Sequence, residues 1–332
     1  MARNATNKTL TNARKVKSDE FYTQLSDVEK ELKHYKKHFK GKVVYCNCDD
    51  PRVSNFFHYF SYNFEKLGLK KLYTTCYKNQ DRDMFSRNDS EKAIYLEYEG
   101  HKNKNQINIP DPEEIGICNL NSDGDFRSQE SIALLKKSDI VVTNPPFSLF
   151  REYVEQLDKY DKKFLIVGTW NAITYKEIFK LVMENKLWIG VNSNRNFSGF
   201  IVPDHYELFG SEARIDEDGN RIVSSNNTCW FTNLDNTKRH EELILYKKYD
   251  PETYPKYDNC DAIEVSKVND IPLDYKGVMG VPITFMNKYN PEQFEILGLD
   301  DHTLVYPNWR GRGPDLNGKA IYRRILIRHK KI

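Results

Sequence analysis

A buried strand cannot run on through two prolines, and this chain places Asn144-Pro145-Pro146-Phe147 directly after the apolar run Ile140-Val141-Val142. Proline fixes φ and removes the ladder donor, and Pro146 confines Pro145 to extended backbone. The segment Ser138-Asp139-Ile140-Val141-Val142-Thr143 reads as a short buried strand that must end in a rigid turn. Ser148 stands where it can cap a helix beyond the turn. In open α/β sheets, ligands bind just past the carboxyl ends of the strands.

The residue types in that turn suit one kind of ligand. The Asn144 side-chain carbonyl and the held Pro145 backbone carbonyl are two acceptors for a single amino group. The Phe147 ring adds a flat apolar face for a planar base. Two acceptors around one –NH2 keep its lone pair out of conjugation and aim it at an electrophile, the requirement for methylating an exocyclic amine. Asn-Pro and Pro-Pro also punctuate ordinary loops. The strand in front of them weighs against a bare turn.

The surrounding pattern supplies a sheet for that strand. Ser26-Asp27-Val28-Glu29 has the form of a capping box, with Val28, Leu32, Tyr35 and Phe39 at helical spacing and Gly41 as the stop. Residues 42–48 form an apolar strand, an aromatic helix over 56–67 ends at Gly68, and residues 72–77 form a second strand. The polar stretch 78–124 contains one alternating segment, Ile94-Tyr95-Leu96-Glu97-Tyr98, which reads as an added hairpin. Helix and strand then alternate through 128–137, 149–160, 164–167, a helix opened by the box Thr174-Tyr175-Lys176-Glu177, and 187–190. This order predicts an α/β fold with a doubly wound, mostly parallel Rossmann-like sheet. Residues 192–226 are an Asn-, Ser- and Gly-rich insertion, Thr228–Thr232 and Leu243–Tyr246 read as a closing strand pair, and a smaller irregular region follows. The predicted domains are a flexible basic arm (1–17), a catalytic domain (18–250, with insertions at 78–124 and 192–226) and a C-terminal recognition region (251–332).

With 332 residues and 13 % aromatics, the chain has ample core and is not a disordered segment. Its net charge of +2 is unevenly spread. Before Asp19 the only charges are basic, and the last stretch carries Arg310, Arg312, Lys319, Arg323, Arg324, Arg328, Lys330 and Lys331 against Asp315. Such ends can meet phosphates, although a charge run is more often a solvated face. Six cysteines lack a ligand framework, so buried structural thiols are expected, and no metal. With no signal peptide and no membrane-length apolar run, the expected location is the cytoplasm.

The alternation and the Asn-Pro-Pro-Phe turn resemble the S-adenosylmethionine-dependent amino-methyltransferases of DNA. More closely, the chain is similar to the EcoRI-type adenine-specific DNA methyltransferase family. The resemblance is carried by Met1-Ala2-Arg3-Asn4-Ala5-Thr6-Asn7-Lys8, by Ser18-Asp19-Glu20-Phe21-Tyr22-Thr23-Gln24, and by Val43 through Phe56. It continues through Asp123-Gly124-Asp125-Phe126-Arg127-Ser128, Cys229-Trp230-Phe231-Thr232-Asn233-Leu234 and Gly280-Val281-Pro282-Ile283-Thr284-Phe285.

The resemblance implies S-adenosylmethionine as cofactor. Phe21, Tyr22 and Thr23 would pack on its methionine part, Cys48, Asp49, Asp50 and Pro51 would form the first cofactor loop, and Asp125 and Phe126 would contact its adenine. Trp230 and Phe231 would flank the target base. Two departures stand out: Asp50-Pro51-Arg52-Val53-Ser54 has no glycine, and the usual ribose-holding acid is missing near Cys76-Tyr77. Asp49 or Asp50 takes over that role, or the two cap the next helix; these readings are compatible.

The implied reaction is methyl transfer to the N6 amine of an adenine flipped out of duplex DNA, with Asn144 and Pro145 holding the amine and Phe147 stacking on the base. Arg310, Arg312, Arg323 and Arg324 would contact DNA, more through phosphates than guanine edges. The family implies the inner adenine of GAATTC, in a restriction–modification setting, by a monomer with no obligate protein partner. The alternatives are an amino-methyltransferase of RNA or protein glutamine, and a DNA-binding relative with weak catalysis.

Overall fold

The computed structural model describes residues 22–77, 93–100, 110–193, 197–202, 208, 213–223, 227–299 and 314–331. The basic arm, Phe21, Arg310 and Arg312 lie outside the described residues. The chain divides into two compact units, residues 1–172 with 192–234 and residues 173–191 with 235–332. They do not follow a cut at 250: the helix and strand between 173 and 191 group with the C-terminal residues.

The elements of the first half are β1 (Tyr22–Thr23), α1 (Leu25–Leu32), β2 (Val43–Asn47), α2 (Asn55–Tyr62), α3 (Phe64–Leu67) and β3 (Lys71–Cys76). Next come β4 (Ile94–Tyr98), α4 (Pro112–Ile115), β5 (Cys118–Asn119), α5 (Gln129–Lys137), β6 (Ile140–Thr143), α6 (Phe150–Lys159) and β7 (Lys163–Thr169). Then follow α7 (Lys176–Met183), β8 (Trp188–Ser193), β9 (Phe200–Val202), β10 (Arg214–Ile215), β11 (Arg221–Val223) and β12 (Thr228–Thr232).

Eight strands form the larger sheet in the order β5-β4-β3-β2-β6-β7-β12-β8. Its centre is parallel: β2 pairs with β3 and with β6, and β6 pairs with β7. Its flanks are antiparallel, with β4 on β3, β5 on β4 and β12 on β7. The sheet is therefore mixed α/β rather than mostly parallel. The central strands β2 and β6 are buried at every position, which is why their sequences are continuous apolar runs. Toward the edge, β4 alternates buried and half-buried residues, as its sequence does. The alternating segment of the polar stretch thus extends this sheet.

Several local expectations give way to tertiary contacts. The helix predicted from Ser26 starts at Leu25 with Gln24 at its cap position and no side-chain cap. Asp27 instead accepts from the Ser198 amide at 2.8 Å and hydroxyl at 3.0 Å. Neither the Thr174 box nor Ser148 caps a helix: α7 and α6 begin after Tyr175 and Leu149 without side-chain caps. A second small sheet, β1-β9-β11-β10, gathers residues from both ends of the first unit.

The second unit contains β13 (Ala262–Glu264), β14 (Val278–Pro282), β15 (Phe294–Leu299), β16 (Asp315–Leu316), β17 (Lys319–Ala320) and β18 (Arg324–His329). Its sheet, β13-β14-β18-β15, has a regular core of Ile263, Met279, Val281, Phe294, Leu299, Ile325 and Ile327. Leu243–Tyr246 is no strand: Gln293 holds Leu243 through both backbone groups, at 2.9 and 2.8 Å, while Ile244 and Tyr246 are 84 % and 66 % exposed.

Candidate active site

The loop after β2, the end of β3 and the turn after β6 share the carboxyl edge of the parallel centre. Thr143 ends β6, and Asn144, Pro145, Pro146 and Phe147 follow it, with Pro145 buried and the other three half-buried. Asn144 Oδ1 is shielded from solvent. Pro146 is extended at φ −56° and ψ 122°, and a short helical turn over Phe147–Leu149 leads into α6. The Phe147 ring meets Phe200 of β9 edge-on at 6.0 Å, so the stretch read as an Asn-rich insertion supplies an aromatic neighbour to the turn.

The loop without glycine is built by two devices. Cys48 adopts φ +72°, a left-handed conformation that glycine more often supplies. Asp50 then closes a turn on Arg52, accepting its amide at 2.9 Å and its guanidinium at 3.0 and 2.7 Å. Neither acid caps α2. Ser54 does, accepting the amides of Phe56 and Phe57, and a serine just before an aromatic helix was the signal for it. Asp49 points inward and is 9 % exposed. Its Oδ1 accepts from Ser54 Oγ at 2.8 Å and its Oδ2 contacts Thr143 Oγ1. Burial first of all, opposed by the Thr143 and Ser54 hydrogen bonds and assisted by the Asp50 charge, pushes its carboxyl up to about 7. Both acids are thus engaged inside the protein, Asp49 with Ser54 and Thr143 and Asp50 with Arg52. Burial above all raises the Cys48 thiol, which favours its neutral form.

Gly124, at φ +79°, brings the 123–126 segment against the end of β3, where an added Cβ would sit 2.3 Å from the Cys76 carbonyl oxygen. Asp125 accepts the Arg127 amide at 2.8 Å and its guanidinium at 2.9 and 2.7 Å. Partial burial works against its ionisation, but Arg127 more than compensates and holds the carboxyl below its usual value. Of about four acceptor positions on a carboxylate, one remains for a ligand donor. Phe126 is buried beneath the Arg127 guanidinium (5.2 Å) and against Tyr153 (5.0 Å), so its ring backs the segment instead of offering a face. No pattern in the sequence pointed to Arg127.

Tyr22 and Thr23 pair with Ile201 and Phe200 of β9. The Thr23 carbonyl accepts from Asn55 at the start of α2, at 2.8 Å. Its hydroxyl is buried with no hydrogen-bond partner among the described residues, a polar position that fits a polar ligand group.

Two groups of expected site residues are placed elsewhere. Trp230 and Phe231, expected beside the target base, are 0 % exposed and lie in the core. Trp230 packs between Phe56 (6.0 Å) and Phe197 (5.8 Å, stacked), and Phe231 against Phe150 (4.9 Å). Arg324 is half-buried and paired with Glu264, whereas Arg323 is exposed. No group of three or more possible metal ligands occurs, and no helix is long and apolar enough to cross a membrane, among the described residues.

No solved structure gives a significant match. In sequence, the family model described as adenine-specific methyltransferase EcoRI matches residues 9–330. The chain is 58 % identical to the Type II methyltransferase M.EcoRI of Escherichia coli, over 100 % of this chain and 99 % of that protein. It is 40 % identical to M.MpnI of Mycoplasma pneumoniae (96 % and 97 % covered) and 36 % identical to M.MgeORF184P of Mycoplasma genitalium (96 % and 98 %), both also Type II methyltransferases. Likeness of this extent, end to end, makes the chain a member of the EcoRI family of adenine-specific methyltransferases.

Proposed function

We propose that this protein methylates the N6 amine of adenine in duplex DNA, at the inner adenine of GAATTC, with S-adenosylmethionine as donor. The observation that carries this reading is the Asn144-Pro145-Pro146-Phe147 turn at the carboxyl end of a central, fully buried strand. In this reading the larger sheet is a Rossmann-like methyltransferase sheet, the first unit is catalytic and the second recognises the target. The enzyme acts as a monomer on DNA in the cytoplasm, as the modifying half of a restriction–modification pair.

When bound, S-adenosylmethionine supplies an activated methyl group. The protein's own contribution is binding and alignment. Tyr22 and Thr23 would hold the methionine part, the Thr23 hydroxyl serving its polar end, and Phe21 joins them in sequence. Cys48 and Pro51 would shape the cofactor loop, with Asp49 and Asp50 buttressing it. Asp125 would use its remaining acceptor position for the adenine amine of the cofactor, backed by Phe126. A flipped target adenine would donate its N6 hydrogens to Asn144 Oδ1 and the Pro145 carbonyl and lie on Phe147. Both acceptors localise the N6 lone pair. Trp230 and Phe231 would support the pocket from the core. Arg310, Arg312 and Arg323 would meet DNA, at phosphates first.

The experiment is methyl transfer from labelled cofactor to a duplex containing GAATTC, to one with the inner adenine replaced, to RNA and to protein. Asn144→Ala should lower kcat by about 10²–10³-fold, as loss of one preorganised polar contact at a reacting group does, while cofactor affinity changes little. Label on RNA or glutamine selects the alternative substrates. Cofactor binding without any transfer selects the DNA-binding relative. Near-normal turnover by Asn144→Ala ends the assignment of the turn.

A further inference from the structure

Thr143 is the last residue before Asn144, and its hydroxyl presents a problem of proton counting. Its Oγ1 is in hydrogen-bond contact with two acceptors, the Asn47 backbone carbonyl and Asp49 Oδ2. A hydroxyl carries a single proton. With Asp49 ionised, one of these contacts would set two acceptor oxygens against each other, at a place where Thr143 is 0 % and Asn47 2 % exposed and water cannot intervene. A proton on Asp49 Oδ2 removes the conflict: Asp49 donates to Thr143, and Thr143 donates to Asn47.

The rest of the wiring agrees. Ser54 Oγ donates to Asp49 Oδ1 at 2.8 Å and accepts the amides of Phe56 and Phe57 at 3.2 and 3.3 Å. One directed chain then runs from the first turn of α2 through Ser54, Asp49 and Thr143 to the carbonyl that ends β2. The Asn47 side chain is fixed as well, since its Oδ1 accepts from the Tyr153 hydroxyl of α6.

We propose that Asp49 is a positioning residue that works as a neutral acid, donating through Thr143 to the end of β2 and so fixing the end of β6 that carries Asn144. Its function, though not its protonation, rests on the methyltransferase reading of that turn. The groups facing Asp49 favour the neutral form. The Cys46 and Cys48 thiols and the Tyr153 phenol are all raised by burial and uncharged. The charge that acts on Asp49 is that of Asp50, which opposes a second anion and is itself paired with Arg52 at 2.7 Å. No cation is among the groups acting on Asp49. Ionisation as pH rises through about 7 leaves one proton for two acceptors and loosens one of the links between β2 and β6.

The test is infrared difference spectroscopy of the full chain without cofactor, beside methyl-transfer rates over the same pH range. The expected spectrum has a neutral-carboxyl carbonyl band below neutrality. That band halves near pH 7, shifts in heavy water, disappears in Asp49→Asn and moves to higher frequency in Thr143→Val, where its hydrogen-bond acceptor is gone. The wild-type kcat should decline through the same midpoint, and the Asp49→Asn profile should be flat there, because an amide donates to Thr143 at every pH. Absence of the band in the wild type, its persistence in Asp49→Asn, or an unchanged alkaline decline in Asp49→Asn overturns the proposal. If Asp49→Asn does not fold, the wild-type titration and the Thr143→Val shift decide alone. A band that behaves as described in a protein that methylates no DNA sinks the methyltransferase reading and leaves the protonation of Asp49 standing.

Discussion

Replacing Arg324 by alanine separates a structural from a DNA-contacting role. Its Nε donates to both oxygens of Glu264 at 3.2 and 3.0 Å, and its Nη2 donates to Oε1 at 2.6 Å. Nη1 reaches the Tyr322 and Arg323 carbonyls at 3.2 and 3.3 Å. The two side chains are 12 % and 5 % exposed, so this pair, spanning β18 and β13, is largely shielded, with the carboxylate the buried partner. Arg324→Ala leaves the Glu264 carboxylate buried with, among the described residues, the Tyr257 hydroxyl and Ser266, at 3.1 Å, as its side-chain donors. Removing one partner of a buried ion pair costs about 3–5 kcal/mol, and that is the expected loss in urea unfolding of the second unit, followed by tyrosine fluorescence. Adding Glu264→Gln should recover a substantial part, since a neutral amide still accepts from Tyr257. An arginine that served phosphate would behave differently. Its loss would change stability by less than about 0.5 kcal/mol, weaken DNA binding uniformly and reduce the salt slope by about one. That second pattern would refute the structural assignment.

Three further outcomes follow from the geometry. Gly124→Ala puts a methyl 2.3 Å from the Cys76 carbonyl oxygen at a φ of +79°, and backbone cannot yield as a side chain can; cofactor affinity should fall about tenfold, or ~1.4 kcal/mol, in an equilibrium titration, and an unchanged affinity would detach the 123–126 segment from the cofactor. Trp230→Ala empties a fully buried site between Phe56 and Phe197 and should cost about 3–5 kcal/mol in chemical denaturation; a stable variant with impaired base binding would restore Trp230 to the base pocket. His240 hydrogen-bonds Asp235 at 2.7 Å and lies 3.3 Å from Glu292, which raise its pKa above 6.5, Asp235 contributing most. A raised cationic group stabilises the fold fully below its unfolded value and loses that contribution as pH rises through the folded one. The melting temperature of the wild type should therefore drop relative to His240→Gln just above pH 6.5, and parallel curves would rule the pairing out.

The turn after β6 was legible because its determinants are local: two prolines stop a strand whatever lies around them. The alternation from α5 to β8 was legible for a related reason, since each element is long enough to carry its own period. Caps were not. A serine, threonine or aspartate near a helix start chooses among all the donors that the fold brings within reach. Asp27 takes Ser198, 171 positions away in sequence, over the first turn of its own helix. The β1-β9-β11-β10 sheet was invisible because strands of two or three residues have no period to detect. Leu243–Tyr246 failed in the opposite sense, an apolar run with no strand beside it. Arg324 misled because a run of basic residues says nothing about which of them meets a buried acid.

The missing glycine of the cofactor loop has a physical resolution that also accounts for the acids beside it. A left-handed residue other than glycine costs about 1–3 kcal/mol and persists only where its surroundings over-determine it. Cys48 has such surroundings: the preceding strand is hydrogen-bonded on both sides, and the Asp49 amide after it donates to the Thr75 carbonyl at 2.9 Å. With the backbone turned at Cys48, Asp49 faces inward to Ser54 and Thr143, and Asp50 closes on Arg52. A glycine-rich loop gains close backbone approach but brings no side chains with which to brace its neighbours. This loop binds itself to α2 through Ser54 and to β6 through Thr143, so the turn that holds Asn144 inherits its rigidity from the cofactor loop. In the proposed enzyme, the two loops are then one mechanical unit, and a substitution that breaks the Ser54–Asp49–Thr143 link should be felt at both cofactor and target base.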